Sequence, residues 1–124
     1  MDGKRKKIYI AGPLTALVVS EKIKNVIKAN QVASRLINLG FNVFVPHNFH
    51  FTEIQAADPI TYEEWLALDF EWIEECDALF VINHSPGTNR EIDFCKNLNI
   101  PVFYDIHSLR LWAETEEIRE EIKT

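Results

Sequence analysis

Glycine is scarce in this chain, with four in 124 residues, and neither a Gly-x-Gly-x-x-Gly run nor a Walker-type lysine is among the motifs. The glycine-built cradles that hold dinucleotides and nucleoside triphosphates are therefore excluded as motifs. Cysteine is limited to Cys76 and Cys95. Both fall on the apolar sides of expected helices, where two thiols serve as core filler rather than as a disulfide or a metal pair. Basic residues are outnumbered, 13 Lys and Arg against 19 Asp and Glu for a net charge of -6. That balance argues against a nucleic-acid polymer as partner. The one basic run, Lys4-Arg5-Lys6-Lys7, abuts the first expected strand and reads as its solvated entry. No window approaches the roughly 18 apolar residues of a membrane span, and no signal-peptide core follows the charged start. The expectation is a cytoplasmic protein without membrane contact, in which the sequon Asn83-His84-Ser85 carries no weight.

What is present is a core. Hydrophobic residues make up 47% and aromatics 11% of the chain, enough for one domain spanning 1–124. No repeat, linker or low-complexity stretch interrupts it. Strand and helix patterns alternate: a strand at 7–11, a helix at 20–39, a strand at 42–46, a helix at 61–76, a strand at 78–83, a helix at 88–98, a strand at 101–104 and a charged helix at 108–122. Alternation of this kind implies an α/β fold, a flavodoxin-like or Rossmann-like three-layer sandwich with a mostly parallel sheet of four or five strands and helices on both faces. Gly40 suits the left-handed position that closes the first helix, and Thr61-Tyr62-Glu63-Glu64 is a capping box opening the second. The connection from His47 to Ile60 is long enough to act as a lid or binding loop. It leaves its strand at the same sheet edge as the turns at Gly12 and at Ser85 to Thr88, so three loops converge on one rim.

Ser85-Pro86-Gly87-Thr88-Asn89-Arg90-Glu91 joins a strand too apolar for a wet face to a helix, which is where open α/β sheets bind ligands. Thr88 reads as the helix cap, Gly87 as a residue free to take positive φ, and Glu91 as a carboxylate in the first helical turn. Backbone N–H groups there would face an anion. Thr88 to Glu91 is also a capping box, so Glu91 reads either as a cap or as a site residue. Asp69 sits inside the stripe Trp65, Leu68, Trp72, Ile73 and Cys76, where a carboxylate is costly unless it is paired, hydrogen-bonded or facing a cavity. A structural ion pair and a site residue of shifted pKa both satisfy that pattern. Tyr9 lies between Ile8 and Ile10, near the strand end, with its hydroxyl in need of a partner. Gly12 permits close approach of backbone to ligand. His47, His50 and His84 lack a carboxylate or cysteine cluster, so neither a metal nor another cofactor is expected. Phe49 and Phe51 have the flat faces to stack on a base or to cover the core.

Lys7-Ile8-Tyr9-Ile10-Ala11-Gly12-Pro13-Leu14, then Asp69 with Trp72-Ile73-Glu74-Glu75-Cys76-Asp77, then Gly87-Thr88-Asn89-Arg90-Glu91 and Ile100-Pro101-Val102, resemble the nucleoside 2-deoxyribosyltransferase superfamily. This superfamily includes the 2′-deoxynucleoside 5′-monophosphate N-glycosidases. The resemblance covers about Lys7 to Tyr104, in order. It implies cleavage of the bond between deoxyribose and base: the residue at Glu91 attacks C1′ and forms a sugar ester, the one at Asp69 handles the base and its proton, and the one at Tyr9 orients the nucleophile. On that reading Glu91 is kept ionised by the helix N-terminus and Asp69 holds a proton. Gly12, Pro13, Leu14, Thr15, Phe49, Ser85, Gly87 and Thr88 become expected contacts to a nucleoside or nucleotide. Transferases of the superfamily tend to carry an Asp where this chain has Ser85. Ser85 with Gly87 is closer to the monophosphate hydrolases, which use such groups on the 5′-phosphate. Those hydrolases often place Ser and then Arg where Pro13 and Thr15 stand. Family members complete one another's sites across a homodimer, which makes the last helix a candidate interface. Hydrolysis of a monophosphate is the first expectation, base exchange the second, and a non-catalytic nucleotide-binding module of the same fold the third.

Overall fold

In the computed structural model, residues 5–14 and 18–123 are described. Four short apolar segments form the strands β1 (Lys7–Ala11), β2 (Asn42–Phe44), β3 (Ala78–Val81) and β4 (Val102–Phe103). They pair in the order β2-β1-β3-β4, and every pairing is parallel. The helices are α1 (Val19–Asn38), α2 (His50–Glu53), α3 (Tyr62–Glu74), α4 (Pro86–Asn97) and α5 (Ile106–Lys123). The expected α/β sandwich with a parallel sheet and helices on both faces is what is found.

Parallel strands need crossovers, and the crossovers put a helix layer on each face. On one face, Ile8, Ile10, Ala78 and Phe80 pack with Ala29, Ala33 and Leu36 of α1 and Leu109 of α5. On the other, Tyr9, Ala11, Leu79 and Val81 pack with Ile73 of α3 and Ile92 and Cys95 of α4. The register places Tyr9 beside Leu79 and Ala11 beside Val81. Because β1 is followed outward by β2, and the chain then returns to lay β3 on its other side, the crevice between the carboxyl ends of β1 and β3 is a topological switch point.

Some local expectations change. The segment after β2 is not an open loop: Pro46–Phe49 forms a 3₁₀ turn that runs into α2, with His47 and His50 buried. The strands at 42 and 78 end two residues sooner than their apolar pattern suggests, and α5 begins two residues earlier than expected. Gly40 does adopt positive φ, at +101°, just past α1. The stripe proposed for the 61–76 helix is only partly core-facing. Leu68 and Trp72 are 40% and 44% exposed, the face turned to the sheet carries Phe70 and Ile73, and the buried Leu66 borders the cavity described below. Cys76 and Cys95 are free thiols. Burial is the main cause that pushes them up to about 11 and about 12, so neither is a ready nucleophile.

Candidate functional site

Alternation along β1 sends Ile8 and Ile10 to one side and the Tyr9 ring to the other, towards α3 and α4. There the Tyr9 hydroxyl donates to Glu91 Oε2 at 2.9 Å, in a fully buried contact. Tyr9 is 0% exposed and stacks on Phe44, which stacks in turn on Trp72. The ring is thus fixed from behind while its oxygen meets the carboxylate.

Glu91 reaches this place because α4 starts earlier than the sequence suggests. Ser85 is the cap, in extended conformation, and its Oγ accepts from Thr88 N at 3.1 Å. Pro86 occupies the first helical position, where its missing N–H costs nothing. Thr88 is therefore inside the first turn rather than capping it, and Glu91 lies in the second turn, pointing inward and 6% exposed. The reading of Glu91 as a cap is overturned, because a better cap with proline behind it stands three residues upstream of Thr88. Nor does Gly87 take positive φ; among the described glycines Gly40 does. What Gly87 supplies is space, since a Cβ there would come within 3.2 Å of the Tyr62 hydroxyl.

Asp69 projects from α3 into the same locality, half-buried, and interacts with both Glu91 and Tyr9. Burial, opposed by its contacts with Glu91 and Tyr9, raises the Asp69 carboxyl to about 6. Burial, followed by the charge of Asp69, raises Glu91 to about 8, while the Tyr9 hydrogen bond opposes the shift. Tyr9 itself stays a phenol, held well above its ordinary value first by burial and then by the two carboxylates. The pair thus shares one proton near neutrality. Burial thus raises Glu91 as well as Asp69, where Glu91 was expected to stay ionised. Glu91 is the deeper of the two, and the helix field that was to keep it ionised fades beyond the first turn.

These groups open onto a cavity of about 580 Å³ at the carboxyl ends of β1 and β3. Gly12, Pro13 and Leu14 form one wall, Ser85, Gly87 and Thr88 another, and Phe49 with Trp65 a third, their rings 5.4 Å apart. Asp69 and Glu91 also line it, whereas Tyr9 stands behind Glu91 and lines nothing. Thr15, the remaining expected contact, lies outside the described residues. At the α4 rim the Ser85 hydroxyl donates to Thr88 Oγ1 at 2.9 Å. Gly87 N–H and the Thr88 hydroxyl hydrogen remain as donors there. A second hollow, beside β2 and α1, has no acidic, basic or histidine side chain among the described residues that line it.

Several lining residues were not expected as contacts. His47 donates from Nε2 to the Gly12 carbonyl at 3.1 Å, bracing the first loop, and burial lowers its pKa. Its place directly after Val45-Pro46, at a strand end, was the available signal. Lys22 and Glu53 meet across the cavity at 3.2 Å, and Tyr62 and Ile60 also border it. Nothing in the local sequence marks Lys22 or Glu53, which are 31 positions apart. Among the described residues no group of three or more His, Cys, Asp or Glu is placed to hold a metal ion.

A family model described as a domain of unknown function, DUF7768, matches residues 6–105. The chain belongs to this family. The matched DUF7768 span takes in all four strands and every cavity-lining residue named above. No curated protein matches the sequence. Among solved structures, the chain is similar to a 2-deoxyribosyltransferase from the psychrotolerant bacterium Bacillus psychrosaccharolyticus, described as a biocatalyst for the synthesis of antiviral and antitumoral nucleosides. The two are 28% identical, with a TM-score of 0.56 over 81% of this chain and 75% of that one. This member of the DUF7768 family thus shares the fold of a deoxyribosyltransferase. No helix among the described residues is long and apolar enough to cross a membrane.

Proposed function

We propose that this cavity cleaves the N-glycosidic bond of a 2′-deoxynucleoside through a covalent ester between Glu91 and the sugar. The observation that carries the reading is the buried contact of Tyr9 with Glu91, beside Asp69, at the end of a cavity large enough for a nucleoside. Two carboxyl groups sharing one proton supply both a nucleophile and an acid. The likeness to a 2-deoxyribosyltransferase supports the same chemistry.

In the first step a Glu91 oxygen bonds to C1′ as the C1′–N bond breaks through an oxocarbenium-like state. The bonding pair leaves with the base nitrogen, which takes the proton from Asp69. The reactive form of the pair therefore carries its shared proton on Asp69, with Glu91 ionised. Hydrogen-bond donation from the Tyr9 hydroxyl stabilises the ionised Glu91 that attacks. In the second step water attacks C1′, Asp69 receives its proton, and the sugar departs from Glu91. A 5′-monophosphate is the preferred substrate on this reading, with Gly87 N–H and the Thr88 hydroxyl facing the phosphate at the start of α4.

A second reading is base exchange, in which a free base rather than water opens the ester; the transferase likeness favours it. Incubation with deoxynucleoside 5′-monophosphates and deoxynucleosides, with and without a second base, separates the outcomes by chromatography. Free base plus deoxyribose phosphate is expected. Exchanged nucleoside replaces hydrolysis by transfer, and the absence of both products, or an unchanged rate in Glu91→Gln, overturns the ester mechanism.

A further inference from the structure

We infer that Lys22 is the cation that selects a substrate bearing a 5′-phosphate, and that Glu53 is the counter-ion it releases to do so. The inference rests on the proposed cleavage chemistry and adds the residues that read the charge. Lys22 stands in the first turn of α1 and Glu53 ends α2; both line the cavity, with Nζ to Oε1 at 3.2 Å. Lys22 is the sole Lys or Arg among the described residues on the cavity wall. The other charges there are the acid pair Asp69 and Glu91, so the cavity carries acid at one place and an ammonium at another. A sugar and a base need no ammonium. A phosphate gains from one, as a charge-assisted partner beside the neutral donors at the start of α4.

The burial of the pair is uneven. The Lys22 side chain is 20% exposed and that of Glu53 38%, so the cation is the more withdrawn partner and the carboxylate the one nearer water. An ammonium has three donors, and among the described residues Lys22 Nζ meets one carboxylate oxygen, that of Glu53. An entering phosphate offers more charge and more acceptor oxygens than that carboxylate, so it can take Lys22 while Glu53 turns outward. Glu53 then remains close enough to oppose the incoming charge. The two residues should act on phosphate selectivity in opposite directions, whereas a bridge that merely ties α1 to α2 would fail in the same direction from either side.

The test measures kcat/KM for base release from a deoxynucleoside 5′-monophosphate and from the matching deoxynucleoside, in wild type, Lys22→Met, Glu53→Gln and the exposed α1 control Lys28→Met. Melting curves establish that each variant is folded. The ratio of monophosphate to nucleoside should fall about tenfold or more in Lys22→Met. It should rise severalfold in Glu53→Gln and hold in Lys28→Met. An unchanged ratio in Lys22→Met, movement of both variants in one direction, or a wild-type ratio at or below unity overturns the assignment. If wild type releases no base from either compound, the cleavage reading fails, and calorimetric binding of the monophosphate then decides the inference. Weaker binding in Lys22→Met with tighter binding in Glu53→Gln sustains it, and equal affinities end it.

Discussion

The two sides of β1 are one strand under opposite demands. Ile8 and Ile10 pack with apolar partners from α1 and α5 and carry no side-chain polar group to satisfy. Tyr9, one residue away and just as buried, carries a hydroxyl against a carboxylate that is itself buried. The first side gains from burial at roughly 25 cal/mol for each Å² of apolar surface removed from water. The second side gives part of that back, because two carboxyl groups are held where ionisation is penalised. One face of the sheet is organised for stability, the other for an acid pair with displaced pKa values.

Removing the acid from the reactive side should have the largest effect. Glu91→Gln is expected to lower base release by about 10⁴-fold or more while leaving the fold intact. Asp69→Asn should cost about 10²- to 10⁴-fold, mainly for bases that leave poorly without a proton. On the apolar side the pattern inverts. Ile10→Ala should destabilise by about 2–5 kcal/mol in chemical denaturation, with the turnover of the folded fraction retained. A large loss of turnover in folded Ile10→Ala, or a large loss of stability in Glu91→Gln, would break the distinction between the faces.

The pH dependence sharpens it. Glu91 and Asp69 titrate higher in the fold than their ordinary values of 4.5 and 3.8, so the folded state holds protons that the unfolded chain releases. Their contribution to stability is full below about pH 4 and is lost as the pH rises through about 6 and about 8. Melting temperatures across that window should fall in wild type and fall less in Glu91→Gln. Base release, which needs one proton on the pair, should follow a bell with limbs near 6 and 8 that belong to the pair as a whole. The smallest effect is local: Ser85→Ala removes the α4 cap and should cost about 0.5–2 kcal/mol in thermal melts.

The fold was legible because its signals were strong and redundant. Asp77-Ala78-Leu79-Phe80-Val81-Ile82 is too apolar to have a wet face, and Gly40 stands where the chain must turn left-handed. Tyr9 and Asp69 stood out because each put a polar group into an apolar pattern, and Glu91 because it follows the turn from a buried strand into a helix; the structure brings the three together. What the sequence hid was local competition and depth. Thr88 and Ser85 are both good caps, and Pro86 behind Ser85 decided between them. Leu68 and Trp72 share a helical period with Ile73, yet the period does not say which edge of the stripe reaches solvent. The raised pKa values of Asp69 and Glu91 depend on burial depth, which spacing does not encode. Lys22 and Glu53 come together only through the path of α1 and of the 3₁₀ turn ahead of α2.

The all-parallel order β2-β1-β3-β4 also dictates a sequence of assembly. No two neighbouring strands are joined by a hairpin, and the β1–β3 contact joins Tyr9 to Leu79. Loop closure over that separation must be met before the contacts reward it, so the β1–β3 pairing carries the larger entropic cost of the two that β1 makes. During synthesis from the N-terminus, β1 has β2 as its only early neighbour, and the Tyr9 hydroxyl waits without its acceptor until the segment carrying Glu91 emerges. The acid pair thus exists only once α3 and α4 are both packed on the sheet. A nascent or partly unfolded chain carries the individual groups but none of their shifted acidity, and chemistry and completed topology arrive in the same event.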